Sequence, residues 1–194
     1  MEENSFNYKK YRWFFTKSEK LVYGGKSAEQ NEEILNEIAK DKKEDYVIMH
    51  TKDPGSPFAI IVAPIKKISE EDLVETAVWT ACFSRAWRMG KKKAVVDVFT
   101  KSQLYKMKSM KAGTWGVKGK VERKDAQLKL VLTLQKGIVR AVPFESLNPE
   151  DKIISEVFPG KIPKEIFSKV IADKIKKPLE EVLMALPTGG FKAK

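Results

Sequence analysis

The segment from Ser69 to Met89 constrains the fold most, because it is apolar around most of a helical circumference. Ser69 is followed three residues later by Asp72, a spacing typical of a capped helix start. Its apolar residues cover one helix face and part of a second: Leu73, Val74, Ala77, Val78, Trp79, Ala81, Cys82, Phe83 and Trp87. A helix of this kind packs on more than one side. We therefore expect a long core helix over about residues 70–89.

Short apolar or alternating runs on both sides of this helix predict strands. An aromatic hairpin is expected at 11–16 and 21–23, and a helix is expected after Ser27. Alternating leucines predict a strand with one buried face over 126–134. Further strands are expected at 45–50, 58–63, 94–99, 113–118 and 138–142. These elements predict an α+β fold, with a mostly antiparallel or mixed sheet packed against the core helix.

Past Pro143 the pattern changes to short amphipathic runs preceded by proline. Proline is favoured at the start of a helix, and Pro149, Pro163 and Pro178 each stand before such a run. We expect one domain at 1–143 and a C-terminal helical appendage of about three helices at 144–194. Helices this short must dock on something to be stable. The terminal sequence PTGGFKAK is expected to be frayed.

Composition excludes several classes of protein. Cys82 is the only cysteine in the sequence, so neither an intramolecular disulfide nor a cysteine-based zinc site can form. No apolar run reaches the roughly 18 to 20 residues that cross a bilayer, and the first residues lack the apolar core of a signal peptide. Glycine-rich phosphate loops are also absent from the sequence. We expect a cytoplasmic protein without a cofactor, a metal ion or membrane association.

The excess positive charge is confined to one stretch of the sequence. Residues 91–140 hold 14 Lys or Arg against 3 Asp or Glu, and this local excess equals the formal net charge of the whole chain, +11. A field concentrated in this way attracts polyanions, and the usual polyanion in a cell is nucleic acid. The charge pattern therefore predicts a nucleic-acid interface.

The basic stretch also contains Phe99, Tyr105 and Trp115, whose rings could stack on bases. The alternative is a solvated lysine-rich surface with aromatic residues in the core, but acidic compensation is missing locally. Arg85 and Arg88 end the core helix, where they offset its dipole and stand close to the first lysines. The candidate nucleic-acid contacts are Arg85, Arg88, Lys91, Lys92, Lys93, Lys106, Lys108, Lys111, Trp115, Lys118, Lys120 and Arg123.

The single histidine of the sequence, His50, stands between a predicted strand and a turn rich in proline and glycine. It could serve catalysis together with Ser56 or Ser84, although the sequence contains no G-x-S-x-G motif. The simpler interpretation is a histidine that orders the turn by hydrogen bonding. Because histidine-based metal motifs are absent as well, we expect neither a metal site nor a catalytic site here.

Four stretches carry a family resemblance, and they occur in the same order as in the family. They are YRWFFTKSEKLVYGGKSAEQNEEIL (11–35), YVIMHTKDPGSP (46–57), TACFSRAWRMGKKKAVVDVF (80–99) and SQLYKMKSMKAGTWGVKGK (102–120). Together they resemble the NFACT-R domain, the RNA-binding module of the NFACT ribosome-quality-control factors. The tail from Phe158 is similar to the ends of archaeal members. Family members often have a second histidine in the turn after the strand, where this chain has Pro54 or Pro57. The residues that still match the family here are His50, Lys52, Asp53, Gly55 and Ser56.

This resemblance implies RNA binding without catalysis, with tRNA and the large ribosomal subunit as partners, in ribosome quality control or tRNA metabolism. Two alternatives stay open. The first is an RNA-acting enzyme, either a nuclease or an RNA-modification component, that uses the His50 turn. The second is a protein-interaction module whose C-terminal helices dock on a protein partner.

Overall fold

A six-stranded antiparallel sheet, the main sheet, forms the centre of the fold in the computed structural model, which describes residues 7–193. The strands are β1 (Arg12–Phe15), β2 (Leu21–Gly24), β3 (Val47–Thr51), β4 (Ala59–Ile61), β5 (Lys93–Thr100), β6 (Leu104–Tyr105), β7 (Gly116–Val117), β8 (Glu122–Gln127), β9 (Leu130–Gln135), β10 (Ile138–Val142), β11 (Ser155–Ile162) and β12 (Phe191–Ala193). The main sheet has the order β1-β2-β4-β3-β5-β8, and every neighbouring pair is antiparallel. The second sheet has the order β10-β9-β11-β12 and is also antiparallel, while β6 and β7 form a two-stranded ribbon.

Five α-helices accompany these sheets in the described part of the chain: α1 (Ala28–Lys40), α2 (Glu70–Cys82), α3 (Arg85–Arg88), α4 (Lys164–Ile175) and α5 (Leu179–Ala185). α1 begins where expected, because the Ser27 side chain accepts a hydrogen bond from Gln30 N. α2 begins with a complete capping box of Ser69 and Asp72. The mixture of helices and antiparallel sheets confirms the predicted α+β class.

Both faces of the main sheet are covered. Phe14 and Val22 belong to the buried cluster that contains the apolar residues of α2. Trp13 and Tyr23, one position along each strand, belong to the buried cluster that contains the apolar residues of α1. Successive side chains of a strand point to opposite faces, so the two helices cover opposite faces of the sheet. Polar functional groups therefore have room mainly at the ends of the strands.

The long core helix expected over 70–89 is divided in two. α2 ends at Cys82, and α3 is a single turn that begins at Arg85. The division lies at Ser84, whose hydroxyl donates to Ala81 O at 2.7 Å and accepts from Ala86 N at 3.1 Å. A serine that bonds to the backbone in this way competes with helical hydrogen bonds. Apolar periodicity continues through the break and could not reveal it.

The strand expected over 126–134 is likewise divided. Leu128 and Lys129 lie between β8, which pairs with β5 in the main sheet, and β9, which pairs with β10 and β11 in the second sheet. The chain changes sheets here while the alternation of its leucines continues. The strand expected at 113–118 is shorter than predicted and consists of β7 alone.

The C-terminal part contains two strands in addition to helices. α4 and α5 begin directly after Pro163 and Pro178, as predicted. The helix expected after Asn148 is not formed: residues 148–151 make a single turn, closed by Asp151 N donating to Asn148 O at 3.0 Å, and no helix follows before β11. β12 pairs with β11, so the expected fraying does not extend to residues 191–193.

Since β9 pairs with both β10 and β11, the second sheet draws strands from both sides of residue 143. The division into 1–143 and 144–194 stays a prediction.

Across residues 7–193, every helix is too short or too polar to traverse a bilayer. The expected absence of a signal peptide concerns the first residues of the sequence, of which 1–6 lie outside the described residues.

Asp72 ties the β1–β2 hairpin to the start of α2. Its buried carboxylate accepts hydrogen bonds from Thr16 Oγ1 at 2.7 Å, from Ser18 Oγ and from Ser69 N at 2.9 Å, and it pairs with Lys20 Nζ at 2.9 Å. Burial by itself would raise the pKa of Asp72. The hydrogen bonds and the ammonium outweigh burial and hold this pKa well below its usual range.

We predict that Asp72→Asn lowers the free energy of unfolding by about 2–3 kcal/mol at pH 7, because buried donors and Lys20 lose a charged acceptor. The folded-state pKa of Asp72 is depressed, so its contribution is fully present above the unfolded pKa of about 3.9 and is lost as the pH falls through the folded value. Urea unfolding at pH 7 and at pH 3 measures both effects.

The control for this prediction is Asp173→Asn, which removes an exposed carboxylate from α4 and is expected to change the stability little. If Asp72→Asn were as stable as this control at pH 7, the anchoring role of Asp72 would be wrong.

Candidate nucleic-acid interface

A cleft of about 650 Å³ opens at one end of the main sheet, where β1 and β4 begin and β2 and β3 end. Its walls are the start of α1, the start of α3 and the segment 112–117. The cleft brings together residues that are distant in sequence. Among the predicted site residues, it contains His50, Lys52, Gly55, Ser56, Arg85, Arg88 and Trp115.

The charge of the cleft is strongly positive. Five cationic side chains line it, namely Arg12, Lys26, Lys52, Arg85 and Arg88, against a single carboxylate, Asp97. Asp97 is already bonded to the Nε of Arg123 at 3.0 Å. Lys52, Arg85 and Arg88 form neither an ion pair nor a side-chain hydrogen bond with any described residue, and all three are exposed. These cations are free to bind an anion.

Arg12 lies deeper in the cleft than the other cations. Its guanidinium donates to Gly25 O at 3.1 Å and lies 5.4 Å from the centre of the Phe83 ring. Burial lowers the pKa of Arg12 to about 10. Burial and then repulsion by Arg12 and Arg140 lower the pKa of Lys26. Because an anion would relieve both the desolvation and the repulsion, the cleft is electrostatically suited to one.

The His50 turn forms the floor of the cleft and is held by its own hydrogen bonds. His50 Nδ1 bonds to Thr51 O at 2.7 Å, which assigns the proton to Nδ1, and the imidazole ring lies 4.5 Å from the Phe58 ring. Burial lowers the pKa of His50, so the ring is neutral at pH 7. The ring packs and bonds as a histidine that orders the turn.

The hydroxyls that could have served catalysis with His50 are engaged with the backbone. Ser56 Oγ accepts from Thr51 N at 2.9 Å and donates to Pro57 O at 3.1 Å. Ser84 Oγ caps α3, as described above. Asp53 is turned away from the cleft and pairs with Lys91 Nζ at 3.3 Å. Asp97, the register partner of His50 in β5, is bonded to Arg123, and neither Ser56 nor Ser84 donates to the His50 ring.

Asn31 joins the turn to α1. Its side chain accepts from Phe58 N at 3.3 Å and donates to Ser56 O at 3.4 Å. Gly25 approaches Asn31 so closely that a Cβ on residue 25 would lie 2.7 Å from Asn31 N. Gly55, at φ +105°, accepts a backbone hydrogen bond from Arg85 N at 2.8 Å. These contacts fix the backbone from which the cations project.

Glu32 holds the third wall of the cleft against α1. Its Oε2 atom accepts from Gly113 N at 2.8 Å, from Trp115 Nε1 at 3.1 Å and from Lys106 Nζ at 2.8 Å. Burial would raise the pKa of Glu32, but these three donors outweigh burial and lower it. Trp115 is thereby fixed in orientation, with one edge bonded to Glu32 and its ring lining the cleft.

Most lysines of the basic stretch lie outside the cleft. Lys91, Lys106 and Arg123 pair with Asp53, Glu32 and Asp97 respectively. The following six are exposed and form no ion pair with a described residue: Lys92, Lys93, Lys108, Lys111, Lys118 and Lys120. Tyr105 packs its ring against Gly116 and does not line the cleft. Of the predicted contacts, Arg85, Arg88 and Trp115 therefore line the cleft together, whereas the lysines of the basic stretch lie outside it.

Sequence reasoning missed Arg12, Lys26 and Asn31. An arginine inside the aromatic run YRWFF, followed by the Gly24–Gly25 pair, was a usable signal, since a buried cation beside close backbone approaches indicates a functional site. Lys26 and Asn31 gave no signal of this kind.

As for metals, the described residues contain no group of three or more His, Cys, Asp or Glu placed to hold an ion.

The fold is an α+β domain with a positively charged cleft at the strand ends. Residues 10–119 match the family described as the NFACT protein RNA binding domain. Because the match includes more than half of the chain, the protein belongs to this family, which confirms the resemblance found in the sequence.

The chain is also 28% identical, over an alignment of 208 residues, to the archaeal Rqc2 homolog aRqcH of Methanocaldococcus jannaschii. The alignment includes 94% of this chain and 28% of that protein, so the chain spans less than a third of the relative's length. Among solved structures, the C-terminal part of the fibronectin/fibrinogen-binding protein from Streptococcus suis is similar, with 24% identity, a TM-score of 0.49, and coverage of 60% of this chain and 43% of that one.

We predict that Glu32→Ala releases the segment 106–117, which includes the third wall of the cleft, and increases tryptic cleavage after Lys106, Lys108 and Lys111 several-fold, because three hydrogen bonds lose their shared acceptor. Mass spectrometry of timed digests measures the cleavage rates.

The matched control is Glu37→Ala, which removes an exposed carboxylate from the same helix and is expected to leave these rates unchanged. Equal digestion of the two variants would show that Glu32 does not hold the wall.

Proposed function

We propose that this domain binds structured RNA by drawing a ribose-phosphate segment into the cleft at the end of the main sheet. The observation that carries the proposal is the charge of the cleft, with five cationic side chains and one carboxylate that is already paired. Membership of the NFACT RNA-binding family supports RNA as the polyanion. The proposed activity is binding, without a chemical step.

Phosphate contacts are assigned to Lys52, Arg85 and Arg88, which are exposed and unpaired among the described residues. Arginine presents a planar fork of donors that matches two phosphate oxygens, whereas lysine acts as a point charge. The first turn of α1, at Ala28, adds backbone N–H groups and the positive end of a helix dipole to the same cleft. Phosphates are therefore expected to supply most of the affinity.

An unpaired base is assigned to the aromatic side of the cleft. The Trp115 and Phe83 rings are partly exposed and line the cleft, and Glu32 fixes the plane of Trp115. Sequence-tolerant recognition of RNA commonly combines such rings with a cationic groove. This arrangement favours a loop, a bulge or an end over an uninterrupted duplex.

The lysines of the basic stretch extend this surface beyond the cleft in our proposal. Lys92, Lys93, Lys118 and Lys120, together with Lys108 and Lys111, are available for further phosphates. Lys91 and Arg123 are in solvent-exposed pairs, which are weak and can be exchanged for phosphate. Lys106 differs, since it is three-quarters buried and bonded to Glu32; we assign it to positioning the wall.

The biological setting we propose is cytoplasmic ribosome quality control or tRNA metabolism, with tRNA or the large ribosomal subunit as the RNA. The similarity to an archaeal Rqc2 homolog supports the first of these settings. A protein partner is proposed at the C-terminal helices, where Ile166 and Val170 of α4 are 58% and 60% exposed and stand one turn apart.

We predict that the triple variant Lys52→Glu, Arg85→Glu, Arg88→Glu weakens tRNA binding at least a hundred-fold at 100 mM salt and reduces the slope of log K against log salt by about 2 to 3. Fluorescence anisotropy over a series of salt concentrations gives both quantities.

The control is the triple variant Lys161→Glu, Lys169→Glu, Lys174→Glu, which makes the same change of net charge at exposed lysines away from the cleft. Its affinity is expected to fall less than ten-fold. Loss of binding to the same extent in both triples would mean that net charge, and not the cleft, attracts RNA.

A second prediction addresses the flanking lysines. Reversal of Lys92, Lys93, Lys118 and Lys120 to Glu should abolish detectable tRNA binding in a filter assay while the circular dichroism spectrum stays unchanged, since each residue is exposed and unpaired among the described residues. Retention of wild-type affinity would remove the basic stretch from the interface.

A further inference from the structure

A loop near the C-terminus packs against the helix that carries two of the cleft arginines. This C-terminal loop comprises residues 187–190, between α5 and β12, and it lies outside the family-matched range 10–119. Thr188 of the loop is exposed and lines the cleft. The C-terminal part of the chain therefore supplies a piece of the cleft wall.

The helix that the loop contacts, α3, is too short to be stable without support from its surroundings. It has four residues, Arg85–Arg88, and a single helical turn does not persist in isolation. The places of Arg85 and Arg88 in the cleft therefore depend on the segments against which α3 packs.

The two arginines are held by different segments. Arg85 N donates to Gly55 O at 2.8 Å, so the His50 turn fixes the first residue of α3. At the other end of α3, a Cβ on Gly189 would lie 2.9 Å from Arg88 Cα and 3.3 Å from Arg88 N. The backbone of the C-terminal loop thus lies directly against Arg88, and Gly189, at φ +137°, leaves no space for a side chain between them.

Trp87 fastens the C-terminal loop to α3. Its indole Nε1 donates to Gly190 O at 3.0 Å, and the centre of its buried ring lies 5.5 Å from that of Phe191 in β12. Gly190 O also accepts a hydrogen bond from Gly160 N of β11 at 3.2 Å. The second sheet therefore anchors the loop that packs against Arg88.

We propose that the C-terminal loop is part of the RNA-binding cleft and holds Arg88 where its guanidinium meets a phosphate of the bound strand. The inference rests on the proposed function. The exposed Arg88 side chain has no carboxylate partner among the described residues, so the contacts of its backbone set its place in the cleft. A guanidinium fork binds two phosphate oxygens in a defined orientation, and a backbone that is already fixed lowers the cost of reaching it.

The first test compares the tRNA affinities of Gly189→Ala and of the matched control Gly137→Ala by fluorescence anisotropy. Both glycines have positive φ, but a Cβ on Gly137 would meet nothing within 4 Å, and residue 137 does not line the cleft. We expect Gly189→Ala to weaken binding about three- to ten-fold, and the control less than about two-fold, because a displaced guanidinium loses charge-assisted hydrogen bonds. Equal affinities of the two variants would overturn the inference.

A double-mutant cycle separates the positioning of Arg88 from a general structural effect. In an Arg88→Gln background Gly189→Ala should change affinity less than about two-fold, whereas in an Arg85→Gln background it should keep its full effect. An undiminished effect in the Arg88→Gln background would mean that the loop does not act through Arg88, and the inference would be wrong. If Gly189→Ala does not fold, Trp87→Phe, which removes the donor to Gly190 O and keeps an aromatic ring, takes its place in the cycle.

The contact of the C-terminal loop with RNA is tested by Thr188→Glu, with Met184→Glu as a control that makes the same change of charge. Both residues are exposed, and Met184 lies on α5 outside the cleft. Thr188→Glu is expected to weaken tRNA binding about five- to twenty-fold, and Met184→Glu less than about two-fold, because a carboxylate in the cleft wall repels phosphates. Equal affinities here would place the loop outside the interface.

Failure of this inference is distinguishable from failure of the proposed function. If Gly189→Ala binds tRNA as Gly137→Ala does while the triple reversal of Lys52, Arg85 and Arg88 loses binding, the inference is wrong and the cleft proposal stands. If the triple reversal binds tRNA as its own control does, the proposed function is wrong, and this inference is wrong with it.

Discussion

Coverage of both faces of the main sheet is the constraint on which the rest of this structure depends. α1 and α2 bury opposite faces through interleaved residues such as Trp13 and Phe14. With both faces committed to apolar packing, the chain can present polar groups to a ligand at the strand ends and in the segments that connect them. The cleft lies at such an end, and its floor is fixed by neutral hydrogen bonds from Asn31 and Ser56.

Carboxylates and cationic side chains have different roles in this protein. Carboxylates that accept several hydrogen bonds hold structure together: the buried Asp72 anchors the first hairpin, and the partly buried Glu32 anchors the wall that carries Trp115. The cations of the cleft, in contrast, are left without carboxylate partners among the described residues. Two of them, Arg12 and Lys26, are partly buried and repel each other, which is costly in a folded protein, and such a cost is tolerated where a ligand of opposite charge relieves it. The unequal distribution of carboxylates is therefore an argument for a polyanionic ligand that a count of net charge alone cannot provide.

Local chemistry and periodicity predicted much of the fold. The Ser27 and Ser69 helix starts, the first hairpin and the helices after Pro163 and Pro178 all follow from capping and turn preferences that act within a few residues. The break between α2 and α3 at Ser84 and the change of sheet at Leu128 were not predicted, because the apolar pattern continues through both positions. The first depends on the hydrogen bonds of the Ser84 hydroxyl, and the second depends on which strands pair. The cleft was only partly predictable for the same reason. Arg85, Arg88 and Trp115 stood in or beside a conspicuous basic stretch, whereas Arg12 and Lys26 reach the cleft through strand pairing, and strand order cannot be read from a sequence without its partners.

Ultraviolet crosslinking of bound tRNA, followed by mass spectrometry of the crosslinked peptides, tests the central claim most directly. The account predicts crosslinks at Trp115 and Phe83 and on the peptide that contains His50, all of which line one cleft. Crosslinks confined to peptides outside the cleft, such as the outer face of α4, would contradict it.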